Sequence, residues 1–112
     1  MRSLGVIFLA DVVGFSKMMS QDEDGTLALI RNFSKDVLKP SLEKHRGKLI
    51  KSLGDGWLIE FDSATNAVTC AMDCQSSAKR RGQIVLRIGI HLGDVEHEDD
   101  DVFGDVVNVA AR

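Results

Sequence analysis

A glycine-bounded acid near the middle of the chain constrains the fold more than any other feature. Residues 51 to 61, KSLGDGWLIEF, place Asp55 between two glycines and between two segments in which apolar and polar residues alternate. Alternation predicts half-buried strands, and an Asp-Gly pair adopts the backbone angles of a tight turn between two such strands. The sequence therefore predicts a β-hairpin over residues 48 to 62 with Asp55 at its tip.

A strand and a long helix are predicted before the hairpin. Residues 5 to 12, GVIFLADV, form an apolar run typical of a strand buried on both faces, and Asp11 lies at its C-terminal end. The polar segment 13 to 25 is interpreted as a loop or a short helical turn. Apolar residues then recur at roughly the helical period over residues 27 to 47, which predicts an amphipathic helix kinked at Pro40.

A second helix and another strand follow the hairpin. Ser63 offers an N-cap, and the apolar residues after it keep the helical period until Gly82. Residues 83 to 95, QIVLRIGIHLGDV, predict a strand, and residues 102 to 112, VFGDVVNVAAR, predict a helix entered through Gly104. The order is β-α-β-β-α-β with this helix added.

This order of elements predicts an α+β fold of the ferredoxin-like type. Such a fold is a palm-shaped sheet with its helices packed on one face, here in one domain spanning residues 1–112. The first and third strands of this topology are neighbours, so the end of the first strand meets the hairpin tip. We therefore expect Asp11 and Asp55 to lie close together.

Charge and hydropathy restrict the partners of the chain. The net charge is −3 at pH 7, and residues 93 to 105 hold seven acids and no base. The chain therefore has no basic stripe for duplex nucleic acid, although the rest of it is net positive and permits a small anionic ligand in a local pocket. No run reaches the roughly 18 apolar residues of a membrane span, so we expect a cytoplasmic protein without a membrane segment.

The cysteines and histidines predict no further site. Cys70 and Cys74 lie four residues apart in a helical pattern, a spacing that suits neither a thioredoxin-type pair nor a zinc site, so we expect buried thiols. The three histidines, at positions 45, 91 and 97, have no metal-ligand spacing and are interpreted as surface or interface residues.

Two neighbouring carboxylates favour a divalent metal ion. Like charges at a few ångströms repel each other unless a cation compensates. Magnesium accepts one or two protein carboxylates, keeps several waters and takes its other ligands from substrate phosphates. The pair of Asp11 and Asp55 therefore suits a nucleoside triphosphate better than a storage site.

Four segments of the chain resemble the class III nucleotidyl cyclases, the family of adenylate and guanylate cyclases. They are FLADVVGFSKMM (8 to 19), KLIKSLGDGWLIEF (48 to 61), RIGIHLGDV (87 to 95) and DVFGDVVNVAAR (101 to 112), in the order and at about the spacing of that family. The sequences of the last two segments are most similar to those of bacterial adenylate cyclases. The resemblance covers essentially all of this chain but about two thirds of the family's catalytic domain, which implies a domain truncated at its C-terminal end.

The resemblance implies a role for eight residues in converting ATP to cyclic AMP and pyrophosphate. Two divalent metal ions, Mg²⁺ or Mn²⁺, would be bound by both aspartates and a backbone carbonyl, and an arginine would contact phosphate. A lysine and an aspartate would recognise adenine, and an asparagine and an arginine would orient the ribose and stabilise charge on the α-phosphate. The metal ligands would be Asp11, Asp55 and the backbone carbonyl of Val12, and the phosphate contact would be Arg87. The adenine contacts would be Lys51 and Asp101, the ribose contact Asn108 and the α-phosphate contact Arg112.

The resemblance also implies a homodimer with two active sites at its interface. In this family one chain supplies the metal ligands of a site, and the other supplies the residues that contact the base and the α-phosphate. This division implies that Lys51 and Asp55, four residues apart, serve different sites. Dimerisation also agrees with the size of the chain, because 112 residues can fold alone but gain appreciably from a further interface.

Plainer interpretations stay open for the individual residues. Asp55 by itself is ordinary turn chemistry, and Lys51 by itself is a solvent-facing lysine. Asp101 is one of three consecutive aspartates, so a shift of one residue gives its role to Asp100. The last asparagine and arginine of the chain also fit a helix surface without a function.

Three alternative functions also stay open. The chain could be a catalytically silent fragment that binds nucleotide or dimerises, a guanylate cyclase, or a plain ferredoxin-like interaction module. A diguanylate cyclase would need a glycine-glycine-acid turn at the hairpin, where this chain has Gly54-Asp55-Gly56.

Overall fold

The computed structural model describes residues 2–98 and 101–104. These residues form five strands and four α-helices, with one π-helical turn between two of the helices. They are β1 (Arg2–Val12), α1 (Phe15–Gln21), α2 (Glu23–Phe33), the π turn (Ser34–Leu38), α3 (Lys39–His45), β2 (Lys48–Ser52), β3 (Gly56–Phe61), α4 (Ala64–Arg81), β4 (Leu86–Glu98) and β5 (Asp101–Phe103).

The strands form one sheet in the order β2-β3-β1-β4-β5, and every neighbouring pair is antiparallel. The first four strands have the ferredoxin-like arrangement, so the predicted α+β fold class is confirmed. The main core lies between this sheet and the helices. It contains alternate residues of β1 and the residues that the helices direct toward the sheet, among them Phe8, Phe33 and Cys70.

The predicted long helix is continuous from α2 to α3 but contains a π turn before Pro40. Asp22 starts it by accepting a hydrogen bond from the Gly25 backbone N–H at 3.0 Å. Proline cannot donate a backbone hydrogen bond inside a helix, and a π turn is a common way to accommodate a local change in the helical ladder. Pro40 is the second residue of α3, so the π turn directly before this helix coincides with the place where the backbone donor is missing.

Helix α4 begins and ends where the sequence predicts. The Ser63 hydroxyl accepts from the Asn66 N–H at 3.2 Å, and Gly82 closes the helix at φ 69°. Cys70 and Cys74 are buried free thiols, as expected. The surface prediction for His45 is wrong, because α3 ends against α4: its side chain is 10% exposed, and its Nε2 lies 2.5 Å from an Asp73 carboxylate oxygen.

A second, smaller core lies on the sheet face opposite the helices, which the sequence did not predict. It consists of four residues that are at most 3% exposed: Ile7, Leu58, Val95 and Val102. Strand β4 runs on to Glu98 instead of ending at residue 95, and β5 pairs with this extension. The sheet therefore curls over its free face.

Two predictions fall at the end of the chain. Val102 and Phe103, the first residues of the predicted last helix, belong to β5. Residues 105–112 lie outside the described residues, and with them Asn108 and Arg112. In the part of the chain that is described, no helix is long and apolar enough to cross a membrane.

Candidate active site

The hairpin tip and the end of β1 lie side by side, as the topology predicts. Asp11 is the register partner of Gly56, and the Val12 backbone N–H donates to the Asp55 carbonyl oxygen at 2.8 Å. A Cβ on Gly56 would lie 2.2 Å from the Ala10 carbonyl oxygen, so this close approach requires glycine. The backbone thus places Asp11, at the end of β1, beside Asp55 in the turn that precedes β3, at one rim of the sheet.

The turn itself depends on a second glycine. Gly54 has φ +85°, in the left-handed region that favours glycine, and a Cβ there would meet nothing within 4 Å. The Leu53 N–H donates to the Gly56 carbonyl oxygen at 2.8 Å and closes the turn. Gly54 therefore shapes the tip, whereas Gly56 brings the tip against β1.

Asp11 forms a two-pronged ion pair with Arg87, its register partner on β4. The Arg87 Nε donates to one carboxylate oxygen at 3.1 Å, and a terminal guanidinium nitrogen donates to the other at 2.8 Å. The hydrogen bonds to Asp11 raise the pKa of Arg87 above its ordinary value, and the negative charges of Asp11 and Asp55 add to this effect. Arg87 is therefore in the electrostatic field of both acids.

The residues at this rim fit a hard divalent cation. Among the residues that the structure describes, no three histidine, cysteine or acidic side chains are grouped to hold a metal ion. Two carboxylates suffice for magnesium, which completes its shell with waters and phosphate oxygens. The Arg87 guanidinium already compensates Asp11, which shows that this carboxylate attracts a cation.

Lys51 and Asp101, the predicted base-recognition residues, meet at a second place. The Lys51 Nζ donates to an Asp101 carboxylate oxygen at 2.8 Å, although the two residues lie on β2 and β5, at opposite ends of the sheet order. The other Asp101 oxygen accepts from the Val102 N–H at 2.8 Å. The hydrogen bond from Lys51, followed by that from Val102, lowers the pKa of Asp101 below 3.8.

The structure thus groups six of the eight predicted residues into two places. Within the described ranges, no hydrogen bond or ion pair joins the Asp11–Arg87 pair to the Lys51–Asp101 pair. The contact of Arg87 with Asp11 is the feature that sequence reasoning missed, since Arg87 was expected to contact phosphate. Asp100, the alternative to Asp101, lies outside the described residues.

Comparisons with known proteins agree on the family. The profile of the adenylate and guanylate cyclase catalytic domain matches residues 2–112. A putative adenylate cyclase 3 of Rhizobium meliloti is 46% identical over 99% of this chain, and an adenylate cyclase of Streptomyces coelicolor is 33% identical over 99%. This chain covers 20% and 29% of those two proteins, respectively, and so spans less than a third of their lengths.

Solved structures agree with the fold. An adenylate/guanylate cyclase/hydrolase from Silicibacter pomeroyi has a TM-score of 0.91 and 36% identity, over 99% of this chain and 69% of that one. A bacterial light-regulated adenylyl cyclase has a TM-score of 0.85 over 99% of this chain and 68% of that one, at 20% identity. The second likeness concerns the fold alone.

Proposed function

The chain belongs to the adenylate and guanylate cyclase catalytic domain family, and from this premise we propose that it is the catalytic domain of an adenylate cyclase. Its reaction is the conversion of ATP to 3′,5′-cyclic AMP and pyrophosphate, for cyclic nucleotide signalling in the cytoplasm. The observation that carries the proposal is the close approach of β1 to the hairpin tip, which places Asp11 beside the turn that holds Asp55.

Asp11 and Asp55 are the metal ligands in this proposal, together with the backbone carbonyl of Val12. When bound, two Mg²⁺ or Mn²⁺ ions would lower the barrier to attack by the ribose 3′-hydroxyl on the α-phosphorus and would neutralise the leaving pyrophosphate. Asp11 and Asp55 would hold the ions that bind the phosphates at the rim of the sheet, and Arg87 would contact a phosphate oxygen there. Catalysis then rests on positioning and charge neutralisation, without a covalent intermediate.

Lys51 and Asp101 recognise the adenine edge. They lie 2.8 Å apart and present a donor beside an acceptor. Adenine offers the complementary pattern, because its ring nitrogen accepts and its exocyclic amine donates, whereas guanine has an oxygen in place of that amine. The pair therefore supports the proposal that ATP is the substrate, which a comparison of ATP with GTP tests.

Asn108 and Arg112 complete the proposed site from the second chain of a homodimer. They lie four positions apart, so on a helix both side chains face the same direction. Asn108 orients the ribose and Arg112 stabilises charge on the α-phosphate. The single interface of the homodimer holds two such sites, because each chain supplies one half of each site.

Substitution of the metal ligands tests the proposal. We expect Asp11→Asn and Asp55→Asn in the full-length protein to lower Mn²⁺-supported cyclic AMP formation by about 100-fold or more, since each removes a ligand of the ions that assist the transfer. Asp36→Asn is the matched control, because Asp36 pairs with Arg81 on the helices. Undiminished turnover in both site variants would refute the metal assignment, and turnover of GTP in preference to ATP would assign the chain to the guanylate cyclases.

A second candidate is a catalytically silent domain that binds nucleotide or dimerises. It is favoured by the hydrogen bonds of Arg87 to both carboxylate oxygens of Asp11, which occupy a proposed metal ligand. Measurements of ATP binding and of cyclic AMP formation on the same protein separate the two candidates. Nucleotide binding without turnover would favour the silent domain.

A further inference from the structure

We propose that Arg87 is an exchangeable counter-ion that competes with the divalent metal for Asp11 and passes to a nucleotide phosphate when the metal binds. This inference rests on the proposed function, because it concerns the same metal site. It assigns Arg87 a role before the nucleotide arrives, in setting the affinity of the empty site for metal.

The competition follows from how Arg87 holds Asp11. Both carboxylate oxygens are engaged, one at 3.1 Å and the other at 2.8 Å. A divalent ion also needs a carboxylate oxygen directly in its shell. A metal ion on either oxygen would lie within a few ångströms of the guanidinium, so the two positive charges repel each other and each weakens the contact of the other with Asp11.

The fold lets the guanidinium leave without disturbing the backbone. Asp11 and Arg87 are register partners in the β1–β4 ladder, which continues from Arg2 to Val12 on one strand and from Leu86 to Glu96 on the other. The Arg87 side chain is 72% exposed, whereas that of Asp11 is 22% exposed. Arg87 can thus swing on a fixed strand, with little loss of burial, while the carboxylate stays in place.

The released guanidinium has a suitable second partner in the nucleotide. A planar guanidinium binds phosphate oxygens through the same two-pronged contacts that it makes with a carboxylate. Phosphate bound to the metal would bring such oxygens to this rim. Metal and nucleotide together therefore satisfy Asp11 and Arg87 at once, whereas metal alone leaves Arg87 without its partner. The structure thus predicts that each ligand strengthens the binding of the other.

Metal binding without turnover tests this coupling in the full-length protein. We would titrate Mn²⁺ by calorimetry or electron paramagnetic resonance, with and without an ATP analogue that lacks the 3′-hydroxyl and so cannot be cyclised. Arg87→Met removes the charge but keeps a long side chain, and Arg81→Met is the matched control, since Arg81 pairs with Asp36 elsewhere. Arg87→Lys keeps the charge without the two-pronged contact.

We expect Arg87→Met to bind Mn²⁺ about three- to ten-fold more tightly than wild type when no nucleotide is present, because a competing cation is gone. The strengthening of Mn²⁺ binding by the ATP analogue should shrink by a similar factor. Arg87→Lys should fall between Arg87→Met and wild type, and Arg81→Met should match wild type.

The Asp11→Asn variant distinguishes failure of the proposed Arg87 exchange from failure of the proposed metal site. If this variant loses Mn²⁺ binding but Arg87→Met binds Mn²⁺ no more tightly than wild type, the exchange is refuted and the metal site stands. If Asp11→Asn binds Mn²⁺ as wild type does, the metal site of the proposed function fails, and the exchange fails with it. A gain of affinity in Arg87→Met together with a loss in Asp11→Asn supports both.

Discussion

The two ion pairs of the site are held together by different parts of the fold. Asp11 and Arg87 are 76 residues apart but face each other on neighbouring strands, so the β1–β4 ladder alone brings them together. Lys51 and Asp101 are 50 residues apart and lie on the two edge strands, so they meet only because the sheet curls. The Asp11–Arg87 contact thus depends on the register of β1 and β4, whereas the Lys51–Asp101 contact depends on the curvature of the sheet.

Because of this difference, loss of packing in the second core should weaken the Lys51–Asp101 contact more than the Asp11–Arg87 contact. The four residues of that core fill the concave side of the curl, between β3, β1, β4 and β5. Loss of packing there flattens the sheet and separates its edges, whereas the hydrogen bonds between neighbouring strands persist. The following variants break or sharpen this comparison, from the largest expected effect on stability to the smallest.

Ile7→Ala should have the largest effect and should act on one pair. Ile7 is fully buried in the second core, so its truncation should cost about 2–5 kcal/mol of unfolding free energy. Urea unfolding measures this loss, and a carboxyl-carbon NMR titration follows Asp101. We expect the pKa of Asp101 to return toward 3.8, because the curl that brings Lys51 to it relaxes.

Ile59→Ala is the matched control on the helix-facing core. Ile59 is also fully buried, so its truncation should destabilise the protein by a similar amount. The pKa of Asp101 should stay depressed in this variant, since the second core is intact. A return of that pKa in both variants would show that the curl does not depend on the second core.

Gly56→Ala should have the next largest effect, and it should act at the Asp11 rim. The added Cβ meets the Ala10 carbonyl oxygen at 2.2 Å, so the hairpin tip has to move away from β1, at about 1–3 kcal/mol. Gly54→Ala is the control, because its Cβ meets nothing and costs backbone strain alone, about 1–2 kcal/mol. Mn²⁺ binding should weaken more in Gly56→Ala than in Gly54→Ala; equal weakening would mean that the close approach is not needed.

The same distinction explains how much the sequence could predict. Alternation and the Asp-Gly turn fixed the hairpin, and the topology then placed Asp11 beside the tip, because these are properties of neighbouring segments. The Asp11–Arg87 register was not predictable, since the hydrophobic alternation of β4 excludes shifts by an odd number of residues but leaves shifts by two or four residues against β1 open. The curl was not predicted, because the strand predicted for residues 83 to 95 ends before residues 96 to 98, which extend β4 and pair with β5.

The pairing of Lys51 with Asp101 could be anticipated from the family resemblance but not from the chain itself. No local pattern relates a lysine of one edge strand to an aspartate of the other. Their contact depends on the length of β4 and on the burial of Val95 and Val102 beneath it. Whether the pair recognises adenine stays a prediction, and so do the roles of Asn108 and Arg112.

Lys51→Met should affect stability little and substrate choice more. Both side chains of the pair are partly exposed, at 46% and 29%, so the ion pair should contribute at most about 1 kcal/mol to stability. Loss of a charged donor to the adenine ring should lower the ratio of ATP to GTP turnover by about 10-fold or more. The ratio is measured by comparing turnover of ATP and of GTP at equal concentrations. Lys44→Met, on α3, is the control. An unchanged ratio would remove Lys51 from base recognition.

The pH dependence of stability gives the smallest effect, and its sign is fixed by Asp101. A carboxyl whose pKa is lower in the folded than in the unfolded protein stabilises the fold at pH values above its unfolded pKa, here 3.8. This contribution is lost as the pH falls through the folded pKa. Urea midpoints between about pH 5 and pH 2 should therefore fall less steeply in Asp101→Asn than in wild type. Ile7→Ala should show the same flattening if the curl holds the pair together, whereas Ile59→Ala should keep the wild-type slope.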